Sequence, residues 1–70
     1  MRYGSIDSRV ELYTKGVDSG TLKRARAALR SMGGEHDQRA SSRHKEVYVY
    51  SSRSGARNAV DLLDDHGFNG

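Results

Sequence analysis

The chain has no cysteine, no proline, no tryptophan and a single phenylalanine. Without cysteine there is no disulfide framework and no thiolate chemistry. Without proline or a low-complexity run there is no sign of a linker, so residues 1–70 read as a single domain. No stretch approaches the roughly 18 apolar residues of a membrane span. The opening "MRYGSIDSRV" lacks the apolar run of a secretory signal. A cytoplasmic protein with no membrane partner is the expectation.

Catalytic signatures are missing as well. No Walker pattern occurs, which argues against nucleotide hydrolysis. "EHD" at 35–37 and "DDHG" at 64–67 each fall short of the ligand set a metal needs. His36 and Asp37 have no particular serine to act on. No catalytic residue, cofactor or metal is therefore assigned, and the chain is not expected to be an enzyme.

What is present is positive charge, unevenly spread. Residues 1–57 carry all twelve Lys and Arg against six carboxylates, while residues 58–70 carry Asp61, Asp64 and Asp65 and no Lys or Arg. Nine of the twelve cations are arginine, whose planar fork suits phosphate and carboxylate. An arginine-rich small domain leans toward nucleic acid or an acidic protein surface. Only 34% of the residues are apolar. A domain this small buries about 60% of its unfolded surface, so a tightly bound partner or a homodimer is expected to add stability.

The periodicities outline an α+β fold. Residues 6–15 alternate, with Ile6, Val10 and Leu12 on one face and Arg9, Tyr13 and Lys15 on the other, as a half-buried strand requires. Asp18 is placed to cap a helix whose apolar stripe is Leu22, Ala25, Leu29 and Met32. Gly33 and Gly34 end it. Residues 35–41 suggest a weak strand, "SSRHK" a turn, and "KEVYVYS" at 45–51 a strong strand. A second helix is capped by Ser52 or Ser54 and presents Ala56, Ala59, Val60 and Leu63. Gly67 at its end predicts a Schellman motif that joins Leu63 to Phe68. These elements predict a two-layer βαββα domain, with two helices packed on one face of a three-stranded sheet. The first strand would pair with the third in parallel, through a right-handed crossover.

In a strand, Val47 and Val49 must face away from Tyr48 and Tyr50. With the valines assigned to the core, Tyr48, Tyr50 and Tyr13 share an open sheet face with Arg9 and Lys15. That surface resembles, in its physical logic, the aromatic sheet platform of RNA-recognition modules, although none of that family's motif strings is present. The same rings suit a protein interface, or serve only as strand formers.

The remaining basic residues divide into three candidate anion-binding groups. Lys23, Arg26 and Arg30 form a stripe on the first helix. Arg43 and Lys45 lie at the hairpin tip. Arg53 and Arg57 lie at the start of the second helix, where free N–H groups favour an anion. Ordinary capping and solvated charge are the plainer reading of each group.

Contact rather than turnover is the expected activity, through docking on a protein or nucleoprotein complex. Direct binding of RNA or DNA is the alternative, and a small basic ribonuclease toxin a second one. In size and in its lack of linkers the chain is similar to the compact accessory proteins of bacteriophages, including inhibitors of host defence complexes such as anti-CRISPR proteins. That likeness implies an inhibitor and assigns no residue.

Overall fold

Three polar residues, Asp7, Ser8 and Arg9, separate Ile6 from Val10, and the chain reverses there. In the computed structural model, which describes residues 1–69, β1 (Arg2–Ile6) and β2 (Arg9–Tyr13) form an antiparallel hairpin around Asp7 and Ser8. Asp7 adopts φ 53°, the positive value that two-residue hairpin turns require and that aspartate tolerates better than most residues. Ile6 pairs with Arg9 across the turn. It therefore shares the face of Arg9 and not that of Val10. Val10 and Leu12 are fully buried, whereas Ile6, expected in the core, is 59% exposed.

The helices follow their caps. In α1 (Ser19–Ser31), Asp18 Oδ2 accepts from the Thr21 N–H at 3.0 Å, and these bonds from Thr21 hold its carboxyl below the usual range. Ala25 and Leu29 are buried. Met32, the expected last member of the stripe, is the C-cap and lies 37% exposed. In α2 (Arg53–Asp65), Ser52 Oγ accepts from the Gly55 N–H at 3.0 Å. At its far end Gly67 takes φ 77° and the Phe68 N–H reaches the Leu63 carbonyl at 3.1 Å, the Schellman closure that the spacing predicts.

Between the helices lie β3 (Glu35–His36) and β4 (Lys45–Val49). The weak strand is thus shorter than expected. The turn at 42–45 is present, closed by the Ser42 N–H on the Lys45 carbonyl at 2.8 Å.

The sheet has four strands in the order β1-β2-β4-β3, with every pairing antiparallel. The layout is ββαββα, which corrects the three-stranded βαββα expectation and its parallel pair. The reason is geometric. The helix crossover does return the chain parallel to β2, but the strand it delivers is β3. β4 then folds back into the gap between them and is antiparallel to both.

Val10 pairs with Tyr48 and Leu12 with Glu46, and cross-strand partners share a face. Val10, Leu12, Tyr48 and Tyr50 join Ala25, Leu29, Ala56, Ala59 and Leu63 in one core cluster, so both helices cover that face. The tyrosines of β4 are inside, at 1% and 5% exposure. Val47 and Val49 occupy the outer face opposite to the one expected. Val47 is nevertheless buried, because the segment after β3 folds against it: its carbonyl accepts from the Asp37 N–H at 2.8 Å and its N–H donates to Ser41 Oγ at 2.9 Å.

Candidate functional site

Tyr48 and Tyr50 are structural. The Tyr50 hydroxyl donates to the Leu29 carbonyl at 2.7 Å, satisfying an acceptor at the end of α1. Gly34 makes room for it, since a Cβ there would stand 2.5 Å from Tyr50 Oη and 2.8 Å from the Leu29 carbonyl oxygen. The Tyr48 hydroxyl donates to Glu46 Oε1 at 3.1 Å. Burial, followed by the Glu46 charge, pushes the Tyr48 phenol up to about 12, and burial does the same to Tyr50. Neither ring is available to a ligand, which removes them from the expected partner-binding set.

The outer face keeps Arg9 and Tyr13, joined by Arg2, Glu11 and Lys45. Its carboxylates are engaged within the domain. Glu11 accepts from the Tyr13 hydroxyl at 3.1 Å and from Lys45 Nζ at 3.4 Å. Asp37 lies 3.9 Å from Arg9 and accepts from the Ala40 N–H at 3.2 Å. Asp37 therefore does not orient His36, whose ring nitrogen meets Ser41 Oγ at 3.1 Å. That hydroxyl already bonds the Asp37 carbonyl and the Val47 N–H, so these residues form a turn and not a nucleophile relay.

The three basic groups do not converge. On α1, Arg26 makes a two-pronged pair with Glu46, its Nε 3.0 and 3.1 Å from the two carboxylate oxygens. Hydrogen bonding from Arg26 lowers the Glu46 pKa, and the same pair raises that of Arg26. Arg30 lines a recess with Arg26, His36 and Tyr48, and Lys23 is exposed about two turns before Arg30. Arg53 pairs with Asp7 at 3.1 Å, both side chains more than three-quarters exposed. Arg57 is exposed on α2.

One end of the sheet does gather unpaired charge. Tyr13 pairs with Arg2 on one side and with Lys45 on the other. The Arg2 guanidinium lies 4.4 Å over the Tyr13 ring, a cation–π arrangement that holds the side chain in place. The Thr14 N–H donates to the His44 carbonyl at 3.0 Å, which joins the turn carrying Lys15 to the tip carrying Arg43 and His44. Arg2, Lys15, Arg43 and His44 are exposed. Among the described residues no carboxylate pairs with Arg2, Lys15 or Arg43. Among the described residues Glu11 is the acid on this part of the outer face, and Lys45 pairs with it at 3.4 Å.

The sequence expectations included Tyr13, Lys15, Arg43 and Lys45 but split them between two surfaces, and they missed Arg2 and His44. The signal for Arg2 was the pair Asp7-Ser8 between two alternating runs. Read as a turn, it makes Arg2 the cross-strand neighbour of Tyr13. Among the described residues no three His, Asp or Glu side chains converge on a metal-sized site, and no helix is long and apolar enough to cross a membrane. Comparison of the chain with protein-family models, with curated proteins and with solved structures finds no match.

Proposed function

We propose that the chain is a binding protein that grips the phosphate backbone of a nucleic acid, free or within a nucleoprotein complex, through the basic end of its sheet. The observation that carries this reading is the meeting of Arg2, Lys15 and Arg43 at one end of the sheet, with no carboxylate among the described residues paired to any of them. Three cations from three separate segments favour an extended polyanion over a single small anion. Base stacking contributes little here, because the accessible aromatic at this end is Tyr13, and Arg2 covers it. Shape and charge then dominate recognition, and weak sequence preference follows.

Fluorescence anisotropy with labelled RNA and DNA, across a salt series, tests this. Each lost phosphate contact lowers the log–log salt slope by about 0.7–0.9. The combined change Arg2→Ala, Lys15→Ala and Arg43→Ala should therefore flatten the slope by roughly two to three units. Arg53→Ala, whose partner is Asp7, should leave it nearly unchanged. Equal binding of polyglutamate and nucleic acid at matched charge would point to an acidic protein surface and overturn the reading. So would the absence of any salt-dependent binding to either nucleic acid.

A further inference from the structure

We infer that the free edge of β1 and the adjoining flank of α2 form a self-complementary surface that binds a second copy of this chain. The two edges of the sheet differ sharply. β3 offers two residues, whereas β1 offers five in regular pairing with β2. Natural edge strands of that length are normally guarded by proline, lysine or a bulge. β1, "RYGSI", has no proline or lysine, carries its single charge on Arg2 at the start of the strand, and keeps an unbroken register with β2.

The hydrogen-bonding parity of this edge follows from β2. The Tyr50 N–H donates to the Ser8 carbonyl, so the even-numbered residues of β2 direct their backbone groups to β4. The odd-numbered ones serve β1, and their partners are Arg2, Gly4 and Ile6. Tyr3 and Ser5 therefore turn both their N–H and C=O groups outward. An antiparallel partner centred on Gly4 would match Tyr3 with Ser5 of the other copy, twice over by symmetry. All the outward groups would then be paired. Gly4, with nothing within 4 Å of a built Cβ, would meet its own copy on the dyad. Ile6, left 59% exposed in the single chain, would come opposite the aliphatic stem of the other copy's Arg2.

The helices fit the same dyad. α2 lies over both β1 and β2, so its axis stands about one strand spacing, roughly 4.8 Å, from the dyad beside β1. Two copies then bring their α2 helices to about 10 Å, the ordinary distance of packed helices. Arg53 sits at Asp7 and Asp64 at Tyr3, whose hydroxyl donates to its Oδ1 at 2.6 Å. The level of Gly4 on α2 is therefore near Val60 and Asp61. α2 is basic before that level, at Arg53 and Arg57, and acidic from Asp61 through Asp65. An antiparallel copy places each Arg57 against the acidic half of the other helix. Arg57, Asp61 and Asp64 share the flank that faces β1, because Leu62 and His66 line the opposite groove against α1. This contact shares one residue with the phosphate-gripping end, Arg2, whose stem would meet Ile6 of the other copy while its guanidinium stays over Tyr13.

Sedimentation velocity from about 1 to 100 μM tests the inference. The wild-type chain should run at twice its 7.8 kDa mass at the upper concentrations. Ser5→Pro removes an outward N–H that β2 does not use and should give a folded monomer. Arg57→Asp should weaken the dimer at least tenfold by setting acid against acid. Adding Asp61→Arg to it should restore most of the affinity. A wild-type monomer throughout that range would overturn the inference, as would a dimer unaffected by Arg57→Asp.

Discussion

The two faces of β4 have nearly opposite characters. Tyr48 and Tyr50 point inward, lose their water and spend their hydroxyls on Glu46 and on the end of α1. Val47 and Val49 point outward, and a turn folded from the same hairpin covers Val47. A more apolar residue on the outer face and a larger, polar-tipped one within is the reverse of simple hydrophobic ordering. The difference shows that volume outranked polarity. With one phenylalanine and no tryptophan in the chain, the tyrosines supply the aromatic volume needed to fill the space under two alanine-rich helices. A tyrosine hydroxyl can be buried at little net cost once it has a partner.

The largest effect should come from emptying the inner face. Tyr48→Ala should cost about 3–5 kcal/mol, a large share of the roughly 5–15 kcal/mol that holds a typical domain folded. Val49→Ala on the outer face should cost under about 1 kcal/mol by the area it removes. Urea unfolding of the two variants gives the comparison. Equal midpoints would show that the faces are energetically alike.

Alkaline titration sharpens the same contrast. Burial pushes the phenols of Tyr48 and Tyr50 up to about 12 from a free value of 10.0. A raised folded-state pKa means that the unfolded chain loses its protons first. Stability is therefore intact below pH 10 and falls as the pH rises through 10 to 12. Two pH units correspond to about 2–3 kcal/mol for each ring. Circular dichroism with phenolate absorbance should show the inner tyrosines ionising only as the fold is lost. In the Tyr48→Phe, Tyr50→Phe variant the alkaline step should shrink. Ionisation of every tyrosine near pH 10 with the fold retained would contradict the buried assignment.

Smaller effects than that of emptying the inner face concern the seat of Tyr50. Gly34→Ala drives a methyl group against Tyr50 and the Leu29 carbonyl and should cost about 1–3 kcal/mol. Tyr50→Phe removes one buried hydrogen bond and should cost about 1 kcal/mol or somewhat more. The two positions share a contact, so the double variant should cost measurably less than the sum. Strict additivity in thermal unfolding would mean that Gly34 and Tyr50 act separately.

Much of this protein was legible in its residues. Asp18, Ser52, Gly33 and Gly67 bound the helices through local hydrogen bonds, which depend only on neighbours a few positions away. Leu29 and Leu63 mark their buried stripes for the same reason. The alternation in β4 correctly separated the valines from the tyrosines, because the pleat enforces it. The local pattern is symmetric, however, and does not say which side is the interior. That depended on the register of β4 against Val10 and Leu12, a contact made across more than thirty residues of chain. The turn at Asp7 likewise shifted Ile6 out of the core by changing the phase of one strand. The basic end of the sheet brings Arg2, Lys15 and Arg43 together from segments remote in sequence. Composition announced the charge, and tertiary structure alone chose which cations found a carboxylate among the described residues, since pairing depends on distance in space.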